Sequence, residues 1–156
     1  MATIRDITTM CRAGQVAEAY ELAKTDYEAD SQNVWAQREM GWALYYMLKN
    51  DAEGRDRQAF YGYLEELAEM NLLTMETDAL IFDNVVWKII EVIKQIPNER
   101  IDEVDRIYAF LSRYTFVPSN AYSVLLKQVM KFDTWPRLVE FLEWWNIDNL
   151  MPEDYQ

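Results

Sequence analysis

The chain has 156 residues, 51% of them apolar and 14% aromatic, which is enough for a substantial core and too apolar for an acidic disordered tail. Its 27 acidic and 15 basic residues leave a net charge of −12, which argues against coating DNA or RNA, because phosphate binding draws its affinity from clustered Lys and Arg. There is no histidine, so the commonest general base near neutrality and the commonest nitrogen ligand of zinc are both excluded.

Apolar positions recur at three- and four-residue spacing almost throughout, which predicts an all-α protein of about eight helical segments. The first runs from Ile4 to Arg12, with Ile4, Ile7, Met10 and Cys11 apolar, and the second from Gln15 to Ala29 after the punctuating Gly14. A polar break at Asp30-Ser31-Gln32-Asn33 leads into a third segment, Val34 to Lys49. Asn50-Asp51 then reads as a turn into a long fourth segment, Glu53 to Leu73, where Gly62 predicts close packing or a bend. A fifth segment starts after Thr77-Asp78 and ends at Ile96, because Pro97 disfavours helical geometry in the residue before it. A sixth spans Asp102 to Tyr114, Pro118-Ser119 opens a seventh, and Asp133-Thr134 with Pro136 opens an eighth.

The first residues show no secretory leader, and the longest apolar-rich run, Val85 to Ile96, carries Lys88, Glu91 and Lys94 and is far shorter than the ~20 residues a membrane span needs. A soluble, cytoplasmic protein is expected. The single Cys11 sits in a short apolar helix and reads as a buried thiol with no imidazole to activate it. The glycines, Gly14, Gly41, Gly54 and Gly62, lack the spacing of a phosphate loop. Glu65, Glu66, Glu69 and Asp102, Glu103, Asp105 fall mostly opposite apolar positions and read as solvated faces rather than acid–base pairs. No enzymatic activity, metal or cofactor is expected.

Small residues four apart, Ala19 and Ala23, let a neighbouring helix approach closely. The stretch Gly14-x-Val16-x-Glu18-Ala19-Tyr20-x-x-Ala23 resembles the second helix of a tetratricopeptide repeat, and Met40-Gly41-x-x-x-Tyr45 the first helix of the next. Taking Met40, Val85 and Leu125 as equivalent positions gives separations of 45 and 40 residues, against the ~34 of the standard repeat, so the repeats are lengthened and diverged. The resemblance implies a right-handed α-α superhelix of about four stacked hairpins over residues 1–146, with a tail at 147–156. It also implies a concave groove that holds a peptide or protein segment. Carried onto this sequence, the groove-facing positions are Trp35, Arg38, Trp42 and Tyr45, then Asp83, Trp87 and Glu91, then Asn120, Ser123, Lys127 and Lys131. The competing readings are that the Trp and Tyr rings are core, that Arg38, Asp83 and Glu91 pair between helices, and that the lysines are solvated.

Three further expectations stand beside this one. Between Arg106 and Arg137 the charged residues are five positive and one negative, so a locally basic face for a nucleic-acid-associated accessory role is one reading and solvated outer residues the other. Trp144 and Trp145 put apolar surface on more than one face of the last helix, which suggests either an amino-terminal module of a larger protein, with segment 147–156 beginning a further region, or homo-oligomerisation through that end. Alternatively, Ile147, Leu150 and Met151 fold back as a cap.

Overall fold

The structure is a computed structural model that describes residues 2–70, 78–97, 99–114 and 121–129, and every element among them is helical. The contacts divide the chain into two compact units, Met1–Ile81 and Phe82–Gln156.

In the first unit α1 spans Ile4–Arg12, α2 Val16–Ala29, α3 Val34–Glu53 and α4 Arg57–Glu69. Local chemistry sets the boundaries. Thr3 and Asp6 form a reciprocal capping box at the start of α1, each side chain bonding the other's backbone N–H. Gly14, at φ +88°, turns the chain into α2 in a conformation that side chains resist. Asn33 caps α3 by accepting from the N–H groups of Trp35 and Ala36 at 2.9 and 3.4 Å. The polar break at Asp30 to Asn33 is therefore the turn that the sequence predicts.

The next turn is displaced. Asn50 and Asp51 lie inside α3, which runs on to Glu53 because Leu48 and Ala52, four apart, still bury against the core. The helix stops at Gly54, Arg55 takes a left-handed φ of 58°, and Asp56 caps α4 through the Ala59 N–H at 3.2 Å. Gly62 also departs from expectation: it is exposed, and a Cβ there would meet nothing within 4 Å, so it serves no close packing among the described residues.

Sequence-adjacent helices pack in series, α1 on α2, α2 on α3 and α3 on α4, and α1 also reaches α3. Side chains join α2 to α4. The Tyr20 and Tyr63 rings meet edge to face at 5.7 Å, Tyr20 Oη donates to Glu66 Oε1 at 2.5 Å, and Tyr27 Oη donates to the Met70 carbonyl at 3.3 Å. Ala19, Ala23, Ala36 and Ala43 are fully buried at these seams, where a missing side chain lets backbones approach.

In the second unit α5 spans Ala79–Gln95, with its first three residues assigned to the first unit, α6 spans Ile101–Leu111, a 3-10 turn follows at Ser112–Tyr114, and α7 spans Tyr122–Val129. Phe82, Phe110 and Tyr114 form a ring cluster with centroids 5.0 to 6.4 Å apart, backed by the buried Val85, Val86, Ile89, Ile90 and Ile93 of α5. Asp102 and Asp105 stay at or near the surface as expected, but Glu103 does not: it is buried, with Arg100 Nε 3.7 Å from its carboxylate. The start expected at Pro118-Ser119, the eighth segment and the tail at 147–156 lie outside the described residues.

Candidate binding site on α3

Helix α3 touches α1, α2 and α4, and that environment explains its pattern. Ala36, Gln37, Glu39, Met40, Gly41, Ala43, Leu44, Leu48 and Ala52 are all buried, a wide arc that leaves a less buried stripe. The stripe carries Trp35, Arg38, Trp42 and Tyr45, at spacings of three and four. Trp35 is 58% exposed, and Arg38, Trp42 and Tyr45 are half-buried. The Arg38 guanidinium lies 4.9 Å from the Trp35 ring centroid, while Trp42 meets Tyr45 edge to face at 5.9 Å and Tyr45 meets Tyr46 at 5.1 Å. Neither tryptophan is sealed in the core.

One residue beside this stripe is absent from the sequence reading. Glu39, four residues after Trp35, is 1% exposed, and neither carboxylate oxygen has a hydrogen-bond donor. The polar group facing it is a second carboxyl, Asp26 of α2, so a bond between them requires a shared proton. Burial, then Asp26, and more weakly Asp6 of α1 push the Glu39 carboxyl up to about 7, with the positive amino terminus pulling the other way. Asp26 is held in place by the Ala2 N–H at 3.0 Å. A cleft of about 330 Å³ opens here, lined by Ala2, Thr3, Ile4, Arg5, Trp35 and Glu39. The sequence does carry a signal for Glu39: it stands three after Ala36 and four before Ala43, on the small-residue seam where a solvated carboxylate has no room.

The remaining expected site residues are scattered over the second unit. On α5, Asp83 is half-buried, Trp87 is 39% exposed, and Glu91 pairs with Lys88 of the same helix at 3.0 Å. Lys127 is exposed on α7, whereas Asn120 and Lys131, and with Lys131 part of the basic run, lie outside the described residues. Arg106 is half-buried and Arg113 exposed. Cys11 is buried as expected, and desolvation pushes its thiol up to about 11, so it is not a nucleophile near neutrality. Among the described residues no group of three or more acidic or thiol side chains is placed to hold a metal ion, and no helix is long and apolar enough to cross a membrane.

Comparison with protein-family models, curated proteins and solved structures gave no match. The class defined by the fold is an all-α protein whose helices pack mostly on their neighbours in sequence.

Proposed function

We propose that this protein is a non-enzymatic scaffold of tetratricopeptide-like stacked hairpins that binds a peptide or protein segment along the free face of α3. The observation that carries this reading is the row Trp35, Arg38, Trp42 and Tyr45, an exposed ring followed by three half-buried side chains on a helix packed on its other sides. Large aromatics and arginine at the centre of such a face are the side chains that most often anchor a partner.

Two packing facts support the stacked-hairpin part. Contacts of α1 with α3 and of α2 with α4 are those expected when one hairpin stacks on the next in register. Asp83, Trp87, Glu91, Asn120, Lys127 and Lys131 are the further candidates that the tetratricopeptide resemblance implies.

The test is selection of binding peptides from a random library, followed by calorimetry with variants of α3. Trp35→Ala and Trp42→Ala are each expected to weaken selected peptides by about 2 kcal/mol, roughly 30-fold. Folded variants that bind with undiminished affinity would place the partner elsewhere.

A further inference from the structure

Glu39 is a carboxylate only 1% exposed with no donor on either oxygen, it lines a cleft, and a second carboxyl, Asp26, stands beside it. Such an arrangement is costly unless something completes it. Resting on the reading of α3 as a peptide-binding face, we propose that this cleft takes a basic residue of the bound segment. Its ammonium or guanidinium sits against Glu39 and Asp26, and its methylene stem lies along Trp35.

The chemistry selects a cation. A neutral group leaves the buried Glu39 carboxylate uncompensated, and an anion meets Glu39 with the half-buried Asp26 beside it. The partial positive charge at the start of α1 is already offset by Asp6, which bonds the Thr3 N–H at 3.0 Å within the capping box. Arg5 of α1 lines the same cleft but is exposed to water, and Arg38 of α3 is turned onto the Trp35 ring; neither pairs with Glu39. The Arg38 stack also shows that this ring accepts a guanidinium, and 58% exposure leaves the rest of its surface to a ligand. An organic cation fits better than a metal ion, since no metal-ligating group of three is assembled among the described residues.

Because Glu39 must give up its proton when the cation enters, binding strengthens as pH rises through the Glu39 transition. Burial and Asp26 from α2 chiefly set that transition, with Asp6 from α1 and the amino terminus opposing one another; Arg5 of α1 and Arg38 of α3 are the other charged groups nearby.

The experiment is a nitrogen-15 NMR titration of the intact protein with the blocked tripeptides acetyl-Gly-Lys-Gly-amide and acetyl-Gly-Arg-Gly-amide, using the norleucine and glutamate analogues as controls. The Trp35 indole signal, assigned with Trp35→Phe, reports on the cleft. Both basic peptides are expected to shift it saturably at millimolar concentration, binding at least about fivefold more tightly at pH 8 than at pH 5.5. Glu39→Gln is expected to weaken them by about tenfold. Asp26→Asn provides a second variant should the first fail to fold. Equal binding of norleucine, tighter binding of glutamate, no shift of Trp35, or basic peptides indifferent to both variants would each overturn the proposal. If the tripeptides fail while library peptides still depend on Trp42, only this inference falls; if the tripeptides bind while library peptides ignore Trp35 and Trp42, only the scaffold reading falls.

Discussion

At the scale of single residues, two buried glutamates contrast. Glu103 has Arg100 beside it at 3.7 Å, whereas Glu39 has no ion-pair partner and a carboxyl, Asp26, facing it. The difference appears in the pH dependence of stability. Burial raises the folded-state pKa of Glu39 from 4.5 to about 7, so the folded chain holds this proton more tightly than the unfolded chain does. Stability contributed this way is complete below the unfolded value, declines as pH rises between 4.5 and about 7, and is lost above that. Asp51, pushed up to about 6 by burial and by Asp56, adds a slope of the same sign that ends at lower pH. Urea unfolding of the wild type should therefore show stability falling toward neutral pH, and Glu39→Gln should remove the Glu39 part of that slope, between pH 4.5 and about 7. At pH 8 the variant should be the more stable by no more than about 3 kcal/mol, the full linkage value of such a shift. A variant curve parallel to the wild type across that window would mean that Glu39 ionises without penalty.

At the scale of elements, capping and packing decide where helices begin and end, and they divide what was legible in the sequence from what was not. Replacing Asn33 with alanine removes the acceptor for two amides at the start of α3 and should cost about 1 kcal/mol, measured by urea denaturation. Gly62→Ala is the opposite case. With open space around the added Cβ in the interior of α4, it should gain up to about 1 kcal/mol, and a loss would reveal a contact made at that position. Gly14, the Asp30 to Asn33 break and Pro97 were readable because each acts on its own backbone: a positive φ, a side-chain cap, a forbidden helical geometry. Asn50-Asp51 misled for the converse reason. Their local preference for a turn yields to the packing of Leu48 and Ala52, which carries α3 onward to Glu53. The row from Trp35 to Tyr45 comes from the tetratricopeptide resemblance, and its three- and four-residue spacing puts it on one side of α3. The acid pair beside it was not legible as a pair: spacing from Ala36 and Ala43 marks Glu39 as inward-facing, but its meeting with Asp26 of α2 is a tertiary fact that α3 alone does not contain.

At the scale of the whole molecule, the net charge of −12 acts on folding and on association in opposite directions. Folding brings like charges together, so self-repulsion works against the compact state, and salt relieves it over a Debye length of about 10 Å at 0.1 M. Among the described residues, the ion pairs of Lys88 with Glu91 at 3.0 Å and of Arg100 with Asp102 at 3.0 Å have partly exposed partners, so salt takes little stability from them. The balance therefore favours screening, and raising sodium chloride from about 20 to 300 mM should increase stability against urea by on the order of 1 kcal/mol. On the proposed binding of a basic segment, the same screening would remove the attraction that steers it toward this surface. Stopped-flow association of a lysine-bearing library peptide should slow by about tenfold over that salt range, while dissociation changes far less. A rate insensitive to salt would mean that the encounter is not electrostatically guided and that the acidic surplus serves folding or solubility only. Association that quickens with salt would point to an acidic partner, and so against the basic residue assigned to the Glu39 cleft.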